Sequence, residues 1–495
     1  MPRRGPPIGE MKLLLLDEIK RPPLIFLSFF FFFFLVYASA ILVPFAVLDS
    51  YRVLYAAMRH EMFDISKMIV EGGRPLYALG NMWVFDAMHG IADLGWLRVA
   101  SVVGIAALAT ACYQAMEGDN LPRLVILAFS LLIGLMPSFQ VYVAWPTAAF
   151  CPWSAFLAGL AYTIIGPAGV VRLPRHRMAL AVVILTAALA VYQPTAMIFW
   201  LFAAIAWLTP PAPPNHRDIF RAATVMAAAL ASEYALTQGL PLVLYSDTNK
   251  YTRTAIVTNI PQKITWFFNN PLLDALNLPL IAPRAWVAHF IIFFIVLGLW
   301  LYFQGSPPAI RVARMALAAI LLPLAYLPNL LVAENWSSYR TQVALTSLVL
   351  LYTIIALVGW LRRLRGQRLL PACLVVAVIT CTGLATRNVL LEFVLPQTLE
   401  YRIAAHALRE TKLEGATHFY FVLARWSDTL APIVRYDEFG LPSWAATWVP
   451  QAMVWLILQA AHSPSADLIP LISAVGEGPA PPGSTVIDFG KVMRE

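Results

Sequence analysis

The sequence has few charged residues and few cysteines, and both shortages exclude classes of protein. Only 13% of its 495 residues are charged, whereas 60% are hydrophobic and the mean hydropathy is +0.70. This composition excludes a soluble globular protein and predicts a membrane protein with several spans. The four cysteines lie within apolar runs without metal-ligand spacing, so they predict neither a disulfide framework nor a metal site.

Motifs for nucleotides and metals are also lacking. The sequence contains no P-loop, dinucleotide fingerprint, Cys-x-x-Cys or HExxH pattern, and no internal repeat stands out. The net charge of +8 does not indicate a nucleic-acid partner, because the arginines lie in short loops where membrane topology explains them.

Long apolar runs predict about 11 membrane spans and an all-α polytopic fold. The runs lie near 24–48, 96–116, 121–137, 141–165, 178–193, 195–209, 219–245, 284–303, 313–333, 342–361 and 369–388. A cationic segment, 1–23, precedes a first run that is too long for a signal peptide and is therefore predicted to be retained.

With a cytoplasmic N-terminus, every predicted inner loop carries arginine, as the positive-inside rule requires. The odd number of spans then places residues 389–495 outside, beyond a transmembrane domain at 24–388. The composition of 389–495 predicts a small α/β external domain with strands at 419–423 and 485–489.

A carboxylate and several cations follow the first predicted span. Asp49 comes directly after it, and Arg52 stands three positions later. Residues 51–71 have the periodicity of one amphipathic helix on the membrane surface. His60 and Asp64 are spaced to pair on this helix. External amphipathic helices are expected across 51–93. This arrangement predicts a site for a lipid-linked phosphate. Interfacial anchoring is the alternative for each charge taken alone.

Other polar groups fall on the same predicted side of the membrane. Tyr142 and Gln193 end apolar runs, and Asp247 lies in a long external loop, 246–283, whose aromatic and amide residues suit a sugar or form an aromatic belt. Glu334 and Arg340 flank a short external turn, where they either neutralise each other or contribute to the site. A guanidinium group binds phosphate oxygens in a bidentate manner, which makes Arg340 a phosphate-binding candidate together with Arg52.

Several short patterns resemble those of bacterial Gtr-type glucosyltransferases that modify O-antigen. They are Asp49-Ser-Tyr-Arg52, Gly73-Arg74-Pro75-Leu76, Tyr192-Gln193 and Glu334-Asn-Trp-Ser-Ser-Tyr-Arg340. Over residues 24–390 the chain looks like a membrane glycosyltransferase of the GT-C fold, and Asp437-Glu438-Phe439-Gly440 looks like a motif of related uncharacterised members.

The resemblance implies transfer of a hexose, expected to be glucose, from a polyprenyl-phosphate carrier. The acceptor would be a cell-surface glycan such as the O-antigen of lipopolysaccharide, on the periplasmic face of the bacterial inner membrane. It assigns Asp49 as the catalytic base or a metal ligand. Ser50 stands where many relatives have a second carboxylate, which leaves a requirement for Mg or Mn open.

The chemistry of the residues leads to the same assignment. A sugar phosphate needs a base for the acceptor hydroxyl and cations for the leaving phosphate. Asp49 is the expected base. The expected phosphate-binding residues are Arg52, Arg74 and Arg340, and the expected sugar or acceptor contacts are Tyr142, Gln193, Asp247 and Glu334.

Three competing hypotheses stay open. An O-antigen polymerase or ligase would use a diphosphate-linked glycan. A flippase or transporter of lipid-linked sugars should have charged or broken helices at the membrane midplane, and Glu233 and Gln193-Pro194 are the features of that kind. A scaffold without activity would tolerate replacement of Asp49.

Overall fold

The computed structural model describes residues 22–117, 121–166, 174–210, 215–245, 255–411, 419–435 and 438–463, together with 466, 469, 473–476, 480 and 482–492. This part of the chain is mostly helical, as expected for a polytopic membrane protein. In chain order its helices are α1 (Pro22–Val36), α2 (Ala38–Leu42), α3 (Asp49–Met58), α4 (Phe63–Glu71), α5 (Pro75–Asp86), α6 (Leu94–Met116), α7 (Arg123–Ile133), α8 (Pro137–Ala144), α9 (Cys151–Ile164), α10 (Arg175–Val191), α11 (Gln193–Ala196), α12 (Phe199–Leu208), α13 (His216–Leu244), α14 (Ile260–Asn269), α15 (Pro271–Leu276), α16 (Ala285–Tyr302), α17 (Pro308–Leu324), α18 (Leu327–Leu331), α19 (Val343–Arg363), α20 (Leu370–Val389), α21 (Leu395–Glu410), α22 (Pro450–Ala460) and α23 (Phe489–Val492).

The predicted number of spans is not confirmed. In the described ranges, six helical segments are long and apolar enough to cross a membrane: Ile91–Met116, Pro146–Ile164, His216–Leu244, Ala285–Gly305, Val343–Arg363 and Gln367–Glu410. The pair α7 and α8 adds a seventh if the two helices, bent by 47°, form one span. The runs predicted near 178–193 and 313–333 form α10 and α17, of 17 residues each.

Small residues allow two spans to pack closely at the centre of the protein. α19 is the most buried of the candidate spans, and α16 lies along it. At the contact, a side chain on Gly298 would collide with Ala356, and one on Gly359 would collide with Gly298 and Tyr302. Close backbone approach at small residues is a common way for membrane helices to associate.

The single surface helix predicted over 51–71 is wrong, because the chain breaks it into α3 and α4. α3 ends in a Schellman motif in which the Glu61 N–H donates to Ala56 O at 2.7 Å and the His60 N–H donates to Ala57 O at 3.0 Å. His60 has the left-handed φ of 59° that this motif requires. Its imidazole consequently lies 3.5 Å from the carboxylate of Asp86, and not beside Asp64 as expected.

The C-terminal part forms a small parallel sheet. Strands β1 (Phe419–Val422), β2 (Ser473–Gly476) and β3 (Thr485–Asp488) pair in the order β2-β1-β3. β1 and β3 occupy the positions predicted from sequence, whereas no strand was predicted where β2 lies. The chain reaches this sheet as helix, through α20, a π-helical turn at Leu390–Val394 and α21, so the domain boundary at 389 stays a prediction.

Candidate functional site

Asp49 is the first residue of α3, where a carboxylate is stabilised by the positive end of the helix dipole. The preceding residue, Leu48, has φ 40° and ψ −110°, a conformation that non-glycine residues rarely adopt. The Leu48 N–H donates to Ser443 Oγ at 3.0 Å, so a residue far along the chain holds this strained position. Asp49 is half-buried. The start of its helix is restrained by the C-terminal part of the chain, through Ser443.

A buried arginine holds the segment that leads to Asp49. Arg98 is fully buried, its guanidinium carbon lies 3.7 Å from the centroid of the Phe45 ring, and its Nη2 donates to Phe45 O at 2.6 Å. Tyr51, also fully buried, lies within electrostatic range of Arg98 and Glu400. Burial raises the pKa of the Tyr51 phenol well above its ordinary value, so this hydroxyl stays protonated.

Arg74 follows the turn that ends α4 and lies against an aromatic ring. Its guanidinium carbon is 5.2 Å from the centroid of the Tyr192 ring. Gln193 Nε2 donates to Gly73 O at 2.5 Å and to Glu233 Oε1 at 2.8 Å. Gln193 therefore positions the Gly73-Arg74 turn, and its contact with a sugar stays a prediction.

Arg340 lies in the turn before α19 and is held from several sides. Its guanidinium carbon is 4.4 Å from the centroid of the Trp145 ring. Glu438, which is fully buried, accepts hydrogen bonds from the N–H groups of Tyr339 and Arg340 at 2.6 Å each, and its Oε1 lies 3.7 Å from Arg340 Nε. The Tyr142 hydroxyl, also fully buried, donates to Arg340 O at 2.5 Å. The structure thus gives Tyr142 a positioning role, and its contact with a sugar stays a prediction.

A half-buried tyrosine, Tyr77, lies near both the acid and one of these arginines. The Tyr77 hydroxyl donates to Thr147 O, and it lies within electrostatic range of both Arg74 and Asp49. Burial raises the pKa of the Tyr77 phenol, so that the group stays a hydrogen-bond donor. The acid after the first apolar run and the arginine after α4 therefore face the same neighbourhood.

The two arginines share neighbours as well. Arg74 and Arg340 both lie within electrostatic range of the Cys151 thiol and the Tyr192 hydroxyl. These groups come from the end of α4, the start of α9, the end of α10 and the turn before α19. The fold therefore brings Asp49, Arg74 and Arg340, which are far apart in the chain, to one region.

The other predicted residues lie at the edge of this region or outside the described residues. Arg52 is exposed on α3, about one turn from Asp49. Glu334 is half-buried, and its backbone O accepts from Lys263 Nζ at 2.7 Å. Asp247 lies outside the described residues.

Two buried charges in this neighbourhood had no role in the sequence prediction. Lys263 on α14 donates also to Asn335 Oδ1 at 3.0 Å and lies 4.2 Å from the centroid of the Trp266 ring. Burial lowers the pKa of Lys263 to about 8, and nearby Glu334 opposes that shift. Glu438 is the second such residue; its place in the Asp437-Glu438-Phe439-Gly440 motif was the only signal for it.

A metal requirement stays open. Within the described ranges, no group of three or more His, Cys, Asp or Glu side chains is arranged to hold a metal ion. Asp49 is the carboxylate to which the resemblance assigns a metal-binding role.

Comparisons with known proteins give little support for an identity. No protein-family model matches the chain, and no curated protein matches it. It is similar to the crystal structure of an oligosaccharyltransferase from Archaeoglobus fulgidus in complex with zinc and sulfate, at 11% identity and a TM-score of 0.40. The similarity covers 85% of this chain and 63% of that protein, so this chain spans less than two thirds of its length. A TM-score of this size does not establish a shared fold.

Proposed function

We propose that the protein is a membrane glycosyltransferase of the GT-C type. It transfers a hexose, glucose being the expected sugar, from a polyprenyl-phosphate carrier to a cell-surface glycan such as O-antigen. The reaction takes place on the periplasmic face of the bacterial inner membrane. The observation that carries this proposal is that Arg74 shares neighbours with both other charges: Tyr77 lies near Asp49 and Arg74, while Cys151 and Tyr192 lie near Arg74 and Arg340.

Each charge has a chemical role in such a transfer. The bond between the sugar's anomeric carbon and the phosphate oxygen breaks, and a bond forms from that carbon to the acceptor oxygen. Asp49 takes the proton of the acceptor hydroxyl, and the electron pair of the broken bond leaves with the polyprenyl phosphate. Arg74 and Arg340 stabilise the negative charge of that leaving group. Because both guanidinium groups lie against aromatic rings, their orientation is fixed before the donor binds.

The remaining candidates surround this centre. Arg52, exposed beside Asp49, attracts the phosphate from the water side. Glu334 and Asp247 contact the sugar or the acceptor, and the lipid tail of the donor lies along the apolar spans. Tyr142 and Gln193 have their polar groups in hydrogen bonds to the turns that carry the arginines, so any sugar contact they make is additional to that positioning.

The decisive experiment is an assay of glycosyl transfer by purified protein in detergent, with radiolabelled polyprenyl-phosphate sugars and a membrane glycolipid acceptor. Asp49→Asn keeps the shape of the side chain and removes its basicity. We expect transfer to fall by about 10²–10⁴-fold, the usual contribution of a positioned base. Asp86→Asn is the matched control, because Asp86 is an exposed carboxylate on α5 whose ion-pair partner is His60. A parallel reaction with chelator measures metal dependence.

Other outcomes would identify a different function. Full activity in Asp49→Asn would remove the proposed base. Transfer only from a diphosphate-linked glycan would favour a polymerase or ligase. Absence of transfer from every donor, together with movement of carrier lipid across liposomes, would favour a flippase, for which the buried Glu233 on α13 would be the first residue to replace.

A further inference from the structure

We infer that a short segment after the predicted membrane domain is part of the site and sets the relative position of its acid and its cation. This segment, residues 438–443, is called the tail clamp below. Glu438 at one end positions Arg340, and Ser443 at the other end positions Asp49. The inference rests on the proposed function only for the chemical roles of Asp49 and Arg340; the contacts themselves do not depend on it.

The tail clamp lies in the core of the protein, although it is irregular until it enters a 3₁₀ turn at Ser443–Ala445. All six of its residues are buried. The Phe439 ring packs against two rings, with centroid distances of 5.7 Å to Tyr339 and 5.0 Å to Phe393. Because connecting segments normally run over the surface, a buried one indicates that the surrounding structure depends on it.

The Glu438 end fixes the turn that carries Arg340. Each carboxylate oxygen of Glu438 accepts one backbone N–H, from Tyr339 and from Arg340, at 2.6 Å. Hydrogen bonds to an ionised carboxylate are shorter and stronger than neutral ones, and the buried location strengthens them further. These two bonds fix the backbone at Arg340, and the fixed backbone keeps the Arg340 guanidinium against the Trp145 ring.

The Ser443 end fixes the start of the helix that carries Asp49. Ser443 Oγ accepts the Leu48 N–H at 3.0 Å and donates to Gln397 Oε1 at 2.5 Å. The Ser443 N–H donates to Glu400 Oε2 at 2.8 Å, and Glu400 is fully buried. Two residues of α21 therefore hold Ser443, and Ser443 holds the strained residue before Asp49.

The clamp is also fixed between its ends. The Gly440 N–H donates to Glu392 O at 3.1 Å, and Leu441 O accepts from Gln397 Nε2 at 2.8 Å. A segment that is anchored at both ends and in the middle cannot shift one end without straining the other. The distance from the base to the phosphate-binding cation is thus determined by the few residues between Glu438 and Ser443.

The two ends should affect different kinetic constants, since they act through different groups. Glu438→Gln places an amide NH₂ against a backbone N–H and loosens Arg340. We expect KM for the donor to rise by about 10- to 100-fold, because the donor phosphate is already charged in the ground state, and kcat to fall by no more than about tenfold, because the leaving phosphate loses part of its stabilisation. Ser443→Ala removes the acceptor for Leu48 and lowers kcat by about tenfold, with KM changed by less than about threefold. Glu410→Gln, a change at an exposed carboxylate on α21, is the matched control and leaves both constants unchanged.

Amide hydrogen exchange tests the same restraints without any assay of transfer. In wild type we expect peptides covering 45–52 and 335–343 to be protected at the N–H groups of Leu48, Tyr339 and Arg340, which donate to the clamp. Ser443→Ala speeds exchange by about tenfold or more in the first peptide only, and Glu438→Gln does so in the second only. If Glu438→Gln fails to fold, Glu438→Asp, which keeps the charge, takes its place.

The outcomes separate this inference from the proposed function. Unchanged exchange in both peptides, or an equal increase throughout the protein, overturns the clamp. Equal losses in kcat and in donor affinity for both variants overturn the assignment of one end to the acid and the other to the cation. Local exchange changes in a protein that transfers no sugar would support the restraints and overturn the glycosyltransferase.

Discussion

The two sides of the candidate site are held in different ways. Arg340 is restrained by an aromatic ring, a buried hydroxyl and a buried carboxylate, and its side chain is 22% exposed. Asp49 is half-buried at the start of α3, and the residue before it, Leu48, is held through its backbone by Ser443. The cation side is therefore restrained by contacts of Arg340 itself, whereas one restraint on the acid side acts through the strained backbone of its neighbour.

This difference matches what each side must do in the proposed reaction. A group that stabilises developing charge works best when it is already oriented, because no reorganisation is needed during the reaction. A base must reach the hydroxyl of an acceptor that arrives from outside the protein, so it must stay partly exposed, as Asp49 is. The four changes below test this comparison, in order of decreasing expected effect.

Arg340→Lys removes the planar fork and keeps the charge. We expect kcat/KM for the donor to fall by about 10- to 100-fold, since a lysine cannot reproduce both the stacking on Trp145 and a bidentate phosphate contact. The control is Arg59→Lys, a change at a surface arginine that pairs with Glu61. A loss of less than about threefold would show that Arg340 acts only through its positive charge and not through the planar shape of its guanidinium group.

Gly73→Ala tests how tightly the Arg74 turn is packed. Gly73 has φ 77°, and a Cβ there would lie 3.0 Å from Gln193 Nε2 and 3.2 Å from Thr237 Oγ1. Strain of this kind costs about 1–3 kcal/mol, and we expect activity to fall by about tenfold as Arg74 moves. Gly239→Ala on α13 is the control, because a Cβ there meets nothing within 4 Å. Equal behaviour of the two variants would contradict the positioning role of this turn.

Arg52→Gln tests the exposed cation beside Asp49. Because Arg52 is exposed, we expect only about a two- to threefold loss of kcat/KM, and the loss should disappear at high salt, where surface charges are screened. The measurement compares both proteins at low and high ionic strength. A loss of more than about 30-fold that resists salt would place Arg52 in direct contact with the phosphate.

Lys263 gives a pH test of stability away from the centre. Its pKa in the folded protein is about 8, below the ordinary 10.5, so at lower pH the folded state bears the cost of a buried charge. Between pH 8 and 10.5 the Lys263 amine loses its proton in the folded state and keeps it in the unfolded state. The free energy of unfolding therefore rises with pH over this range. We expect the unfolding temperature of wild type, relative to Lys263→Met, to rise by about 2 °C from pH 7.5 to 10. A relative unfolding temperature that stays constant or falls over this pH range would contradict the cost of the buried charge.

The sequence predicted the residue types of the site better than their contacts. Asp49, Arg74 and Arg340 could be selected because a charge next to an apolar run is visible without any structure. The end of the predicted surface helix at residue 71 was visible for a different reason, since Gly72 and Gly73 follow it and glycine is favoured just after a helix. The break at His60 was not, because a histidine in the left-handed position depends on the Schellman hydrogen bonds and not on its own propensity.

Long-range partners could not be predicted from the sequence. Pairing of Arg340 with Glu334, six residues earlier, was one of two alternatives from the sequence, whereas the structure shows an ion pair with Glu438, which is 98 residues away. Local periodicity gives no information on such contacts. The span count stays unconfirmed for a related reason: hydropathy marks apolar runs, and it does not show whether a run forms a helix long enough to cross the membrane or whether two runs bend together into one span, as α7 and α8 can.

The position of the tail clamp has a consequence for biogenesis. The chain is synthesised from its N-terminus, so Asp49 and Arg340 emerge from the ribosome before Glu438 and Ser443 exist. The spans can enter the bilayer during that time, but neither the acid nor the cation has its restraint. Under the proposed function, a nascent chain halted before Glu438 would be inserted in the membrane and inactive, and activity would appear only after Ser443 had bonded to Leu48 before α3 and to Glu400 on α21.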